Sequence, residues 1–107
     1  MTKADPINTE EICPVALTVS LLSGKWKLTV LYQLLSGPKR YSELQRLLPD
    51  ASDRMLTRSL QELKDDQLIK RTAFAEVPVR VEYELTEDGQ ALVPIFDAMK
   101  DWGSKRV

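Results

Sequence analysis

Histidine is absent from this 107-residue chain, and cysteine occurs once, as Cys13. Without histidine no ordinary side chain exchanges protons near neutral pH, which excludes His-dependent acid–base and nucleophilic catalysis. One thiol cannot close an intrachain disulfide, and with no histidine beside it one chain cannot build the usual Cys/His zinc site. No metal and no cofactor is therefore expected. A phosphate loop is missing too: Gly24-Lys25 comes nearest, but it lacks the glycine spacing and the Ser/Thr after the lysine. With the acids scattered and no nucleophile–base pair, the chain is expected not to be an enzyme. Long apolar runs are also lacking, and the polar, acidic start does not have the form of a signal peptide. A cytoplasmic protein without a membrane partner is expected.

What is present suits a folded domain, because 43% hydrophobic and 29% charged residues can build a modest core beneath a solvated surface. The length fits a single domain over residues 13–107, preceded by a flexible polar segment over residues 1–12. The net charge of −1 argues at first against a nucleic-acid binder. Its distribution argues the other way. Between Leu21 and Arg80 there are eleven Lys/Arg against seven Asp/Glu, whereas both ends of the chain are acidic. A basic middle between acidic ends suits a protein that presents its centre to phosphate.

Within that middle, Ser52 to Lys64 reads as an amphipathic helix. At about 100° per residue Leu56, Leu60 and Leu63 share one side, and Arg54, Thr57, Arg58, Gln61 and Lys64 share the other. Arginine can fork onto guanine, glutamine can pair with adenine, threonine can touch a thymine methyl and lysine can neutralise phosphate. The plainer alternative is a solvated surface helix, so the flanking sequence must decide.

Before it, Pro14 starts a helix to about Leu22, and Lys25 to Ser36 follows helical spacing up to the Gly37-Pro38 stop. Lys39-Arg40-Tyr41 reads as an extended link. Ser42, with Gln45 three positions on, is expected to cap a third helix that buries Leu44, Leu47 and Leu48. Pro49-Asp50-Ala51 then leads tightly to Ser52, the cap of the next helix, which makes a helix-turn-helix with Arg40, Ser42 and Ser52 added to the DNA-facing set. After it, residues 68–74 and 79–86 alternate as two strands joined by a loop over Ala75 to Pro78. A β-hairpin in this place is a wing. Alternation turns Arg80 outward, toward a minor groove or phosphate, or else into an ion pair with Glu82 or Glu76. Thr86 opens a last helix that Pro94 should kink or divide, with an apolar stripe of Leu92, Ile95, Phe96, Met99 and Trp102. This stripe, with Val15 and Val19 of the first helix, is expected to pair with a second copy. A symmetric homodimer would then read the two half-sites of a palindromic operator in double-stranded DNA.

The fold expected is therefore mainly α with a small β-hairpin, a winged helix-turn-helix whose N- and C-terminal helices form a dimer interface. Set in this order, several segments resemble the HxlR-type winged helix-turn-helix transcriptional regulators of bacteria, which have a MarR-like DNA-binding fold. The matching pieces are Cys13-Pro14-Val15, Gly24-Lys25-Trp26-Lys27, the run Gly37 to Leu44, and Met55-Leu56-Thr57 with Leu60, Glu62 and Leu63. Glu76-Val77-Pro78, Arg80-Val81-Glu82-Tyr83 and Leu85-Thr86 with Gly89 complete the string. The resemblance implies a homodimeric, sequence-specific repressor or activator with the Ser52 helix in the major groove and the wing beside it. Two positions depart from the family pattern. Gln67 stands where glycine is usual before the first wing strand, and Val79 where a second proline is frequent.

In several members of that family a cysteine at the position of Cys13 responds to oxidants or electrophiles. A helix N-terminus favours the thiolate, whereas Glu10 and Glu11 nearby disfavour it, and a lone cysteine also serves as an inert small apolar residue. Both readings of Cys13 stand, and no effector is identified. The alternative for the whole chain is a winged-helix protein-interaction module whose basic helix is merely solvated.

Overall fold

Pro14 has no N–H to leave unpaired and starts the first helix, α1 (Pro14–Leu22). The computed structural model describes residues 13–107, so the segment expected to be flexible lies outside the described residues. Gly24, at φ +126°, turns the chain into α2 (Lys27–Leu34), and Gly37, at φ +132°, turns it out again. Lys39–Arg40 forms a short strand, β1, followed by α3 (Tyr41–Leu47) and α4 (Asp53–Asp65). Strands β2 (Ile69–Phe74) and β3 (Arg80–Leu85) make the hairpin, and α5 (Glu87–Gln90) and α6 (Val93–Ser104) close the chain. Pro94 divides the last helical region as expected, because its ring is tolerated only in the first turn of α6.

The expected hairpin is one side of a three-stranded antiparallel sheet in the order β1-β3-β2. Lys39 pairs with Tyr83 and Arg40 with Glu82, so the residues read as a link cover one edge of β3. That pairing also moves the start of α3. Arg40 is held extended at φ −76°, ψ 155° and takes the cap position, where its backbone N–H donates to Glu43 Oε1 at 2.9 Å. Ser42 is therefore not the cap but an exposed residue of the first turn, and Gln45 is released for another contact. Of the leucines expected to be buried in α3, Leu44 and the following Leu48 are, whereas Leu47 is 40% exposed on the other edge of the short helix.

One core joins the helices. Leu56, Leu60 and Leu63 of α4 meet Val30, Leu31 and Leu34 of α2, with Leu44, Leu48, Leu85 and Phe96 around them. Each fully buried leucine of α4 contributes about 1.5–3 kcal/mol. The three together far outweigh any single polar contact on the opposite face. Helix α4 is thus held by its apolar side with its polar side left outward.

Candidate nucleic-acid interface

Ser52 begins α4 as expected: its Oγ accepts from the backbone N–H of Met55 at 3.1 Å, satisfying one of the unpaired donors of the first turn. Asp53, next in the chain, is held from α3. Both the Tyr41 hydroxyl, at 3.4 Å, and the Gln45 side-chain amide donate to Asp53 Oδ1. The same hydroxyl lies 3.3 Å from Thr57 Oγ1. Tyr41 and Gln45 thereby fix the two helices of the helix-turn-helix against each other through their polar rims.

Arg54, Thr57, Arg58, Gln61 and Lys64 are all exposed on the outward side of α4, and four of them line one shallow hollow together with Asp53 and Glu62. Their local partners differ. Arg58 Nε donates to Glu62 Oε2 at 3.3 Å, and Gln61 Nε2 to Asp65 Oδ1 at 2.8 Å, each one helical turn on. Arg54 and Lys64 make no ion pair among the described residues. Exposed pairs of this kind are weak, so they do not hold these side chains back from a base edge or a phosphate. The hydrogen bond from Arg58, reinforced by the ammonium of Lys27, holds the Glu62 carboxyl below its ordinary range against a smaller opposing effect of desolvation.

Arg40 and Ser42 are exposed beside this face at the head of α3. With Tyr41 they line a hollow shared with the wing tip, Glu76 to Val81. Arg80 behaves otherwise than its outward alternation suggested. Its guanidinium is bound by Glu76 and by Glu82, each at 2.9 Å, and lies 4.0 Å from the centre of the Phe74 ring. The ion-pair alternative describes Arg80 as the structure has it, engaged within the wing. The outermost residues of the wing are instead apolar: Val77 is fully exposed and Val79, expected on the buried face of a strand, is 65% exposed.

The second candidate face lies away from the wing. Val15 and Val19 of α1 and Ile95 and Met99 of α6 line one apolar groove of about 550 Å³, with Pro14, Leu22 and Leu28. Trp102 continues the face along α6 and is 62% exposed. Two residues of the expected stripe depart from it. Phe96 is only 6% exposed, inside the core and next to the Tyr32 ring, and Leu92 packs half-buried against the same core. The reason is helical geometry: Leu92 and Phe96 form the inner edge of a broad stripe whose outer edge is Ile95, Met99 and Trp102. Cys13 is exposed in the cap position ahead of Pro14, and its thiol is free.

Sequence reasoning missed Tyr41, Gln45, Lys27 and Glu62 as parts of this site. Only Glu62 left a readable signal, its position four residues after Arg58. The others contact α4 across the fold.

A helix-turn-helix whose second helix turns a polar face outward, followed by a sheet with a projecting hairpin, defines a winged helix-turn-helix protein. The model of the HxlR-like helix-turn-helix family matches residues 21–107, and the chain belongs to that family of transcriptional regulators. It is 47% identical over 95 residues to the HTH-type transcriptional regulator YdeP of Bacillus subtilis, covering 89% of this chain and 74% of that one. The structure of the redox regulator HypR in its oxidized form is similar at a TM-score of 0.81 and 43% identity, over 87% of this chain and 96% of HypR. Reduced YodB from B. subtilis is similar at 0.78 and 35%, over 89% of this chain and 94% of YodB. Among the described residues no helix is long and apolar enough to cross a membrane.

Proposed function

We propose that this chain regulates transcription as a homodimer that binds a palindromic operator in double-stranded DNA, with α4 in the major groove. The observation that carries this reading is the two-sided character of α4. Leu56, Leu60 and Leu63 are fully or almost fully buried, while Arg54, Thr57, Arg58 and Gln61 face solvent in one hollow. In this reading those four residues read bases, and Lys64, Arg40 and Ser42 hold the backbone. Arg80 braces the wing, and the apolar tip at Val77 and Val79 approaches the minor groove by shape. The exposed faces of α1 and α6 pair across the molecular twofold through Val15, Val19, Ile95, Met99 and Trp102.

Fluorescence anisotropy tests this reading with a labelled duplex from upstream of the protein's own gene and a scrambled duplex as competitor. The expected result is tight binding that scrambled DNA does not displace and that weakens steeply with salt. Arg58→Ala should weaken the specific duplex by about 1–3 kcal/mol while changing random DNA far less. Weak and equal binding to every genomic fragment would favour the protein-interaction module instead.

Cys13 supports a further part of the reading, a response to oxidants or electrophiles. It is exposed and directly precedes Pro14, which lines the proposed seam. A peroxide would convert the thiol to a sulfenic acid with release of water, and a soft electrophile would form a carbon–sulfur bond with loss of the thiol proton. Either change places a larger or more polar group at the edge of the seam. Peroxide should therefore alter operator affinity in the native protein and leave Cys13→Ser unchanged; an equal response in both would make Cys13 inert.

A further inference from the structure

Among the described residues Lys27 is the one charged residue that is buried, 9% exposed at the start of α2. A buried ammonium needs an anionic partner, since removing it from water is otherwise expensive. Glu62 of α4 supplies one, with Oε1 lying 3.4 Å from Lys27 Nζ. The other oxygen of the same carboxylate, Oε2, accepts from Arg58 Nε at 3.3 Å, and the Arg58 side chain is 80% exposed. Glu62 therefore connects a cation inside the fold to a cation on the candidate DNA-facing surface.

The atom engaged on Arg58 matters. With Nε taken by Glu62, Nη1 and Nη2 have no partner among the described residues. These are the two donors that can meet O6 and N7 of a guanine together. An exposed arginine with only a neighbouring glutamate samples many geometries. Anchoring the glutamate from the buried side restricts them before DNA arrives, which lowers the ordering cost of binding.

We propose that Lys27, acting through Glu62, is a positioning residue that presents the two terminal nitrogens of Arg58 to a single guanine. This rests on α4 being the base-reading helix. The test is arranged so that the two ideas fail separately. Full-length protein is used to enrich a preferred duplex from a random-sequence pool, and the base pair at which Arg58→Ala loses discrimination is located by single substitutions. Lys27→Met, Lys27→Arg and Glu62→Gln are then compared by anisotropy on the preferred duplex, on the duplex altered at that base pair, and on unrelated DNA, with thermal melting alongside.

The expected result is that Lys27→Met and Glu62→Gln each lose about fivefold or more of the discrimination at that base pair. Their binding to unrelated DNA should stay within about twofold of the native protein, since phosphate contacts are untouched. Lys27→Arg, which keeps a buried cation, should restore the discrimination. If Lys27→Met and Glu62→Gln both discriminate normally while Arg58→Ala does not, the positioning role is wrong and the base-reading helix stands. A lower melting temperature with equally weaker binding to every duplex would make the ion pair purely structural and also overturns the proposal. Should Lys27→Met fail to fold, the surface variant Glu62→Gln decides the matter. If no sequence is enriched, or Arg58→Ala weakens all duplexes alike, the reading of α4 itself falls and the positioning role with it.

Discussion

Gly89 and Gln67 are both constrained by the same turn. A Cβ added at Gly89 would collide with the carbonyl oxygen of Leu68, which already accepts the backbone N–H of Thr86. Gln67, one residue earlier than Leu68, sits at φ +62°, the left-handed region in which an L side chain costs roughly 1–2 kcal/mol. Its carbonyl accepts the Thr86 hydroxyl at 2.7 Å, so backbone contacts on both sides hold the turn. Opposite outcomes follow for two small substitutions. Gly89→Ala should destabilise the protein by about 1–3 kcal/mol through overpacking. Gln67→Gly should stabilise it by up to about 1 kcal/mol, because relief of the left-handed strain exceeds the added freedom of the unfolded chain. Urea unfolding at fixed protein concentration checks both, and a destabilised Gln67→Gly would mean that the glutamine side chain has a packing role.

Among the elements, the wing reaches the core only at its base, through Ile69 and Leu85. All of β3 except Leu85 is only partly buried, and the loop beyond Phe74 stands in solvent. Arg80 compensates by joining Glu76, Glu82 and the Phe74 ring across the open end of the hairpin. Its side chain is 26% exposed, so solvent screens these pairs and their combined contribution is about 1 kcal/mol. That is small for the whole protein but large for an element held by one hairpin. Arg80→Ala should therefore speed amide exchange in β2 and β3 while leaving α2 and α4 protected. A loss of DNA affinity with unchanged exchange would instead return Arg80 to a contact with DNA. Helix α4 differs from the wing in this respect, because its burial is set by three leucines rather than by polar contacts.

At the scale of the whole molecule, one group of exposed apolar residues is gathered on a single side. Val15 is 71% exposed, Val19 58%, Met99 46% and Trp102 62%, and α1 and α6 bring them onto one side. A contiguous face of this kind marks an interaction surface. Replacing Val19 and Met99 together by aspartate should leave helical content intact, since both side chains already face solvent. The double variant should sediment as a monomer and lose about 100-fold or more in operator affinity, the avidity of two linked half-sites. Unchanged sedimentation would place the seam elsewhere.

Much of this was readable from spacing alone, because helical and strand periods depend on local geometry. The apolar side of α4, the Ser52 cap and the division at Pro94 all follow from residues close in sequence. So does the polar row Arg54, Thr57, Arg58 and Gln61. Tertiary structure decided what depends on residues far apart. Pairing with β3 made a strand of Lys39–Arg40 and moved the α3 cap from Ser42 to Arg40. Packing divided the last apolar stripe, taking Phe96 inward and leaving Ile95, Met99 and Trp102 outside. The competition for Arg80 was won by two carboxylates and an aromatic ring once the hairpin closed, and Lys27 met Glu62 only when α2 packed on α4. Periodicity states which side of an element is apolar; which neighbour covers it, and which charges that neighbour brings, is settled by the three-dimensional fold.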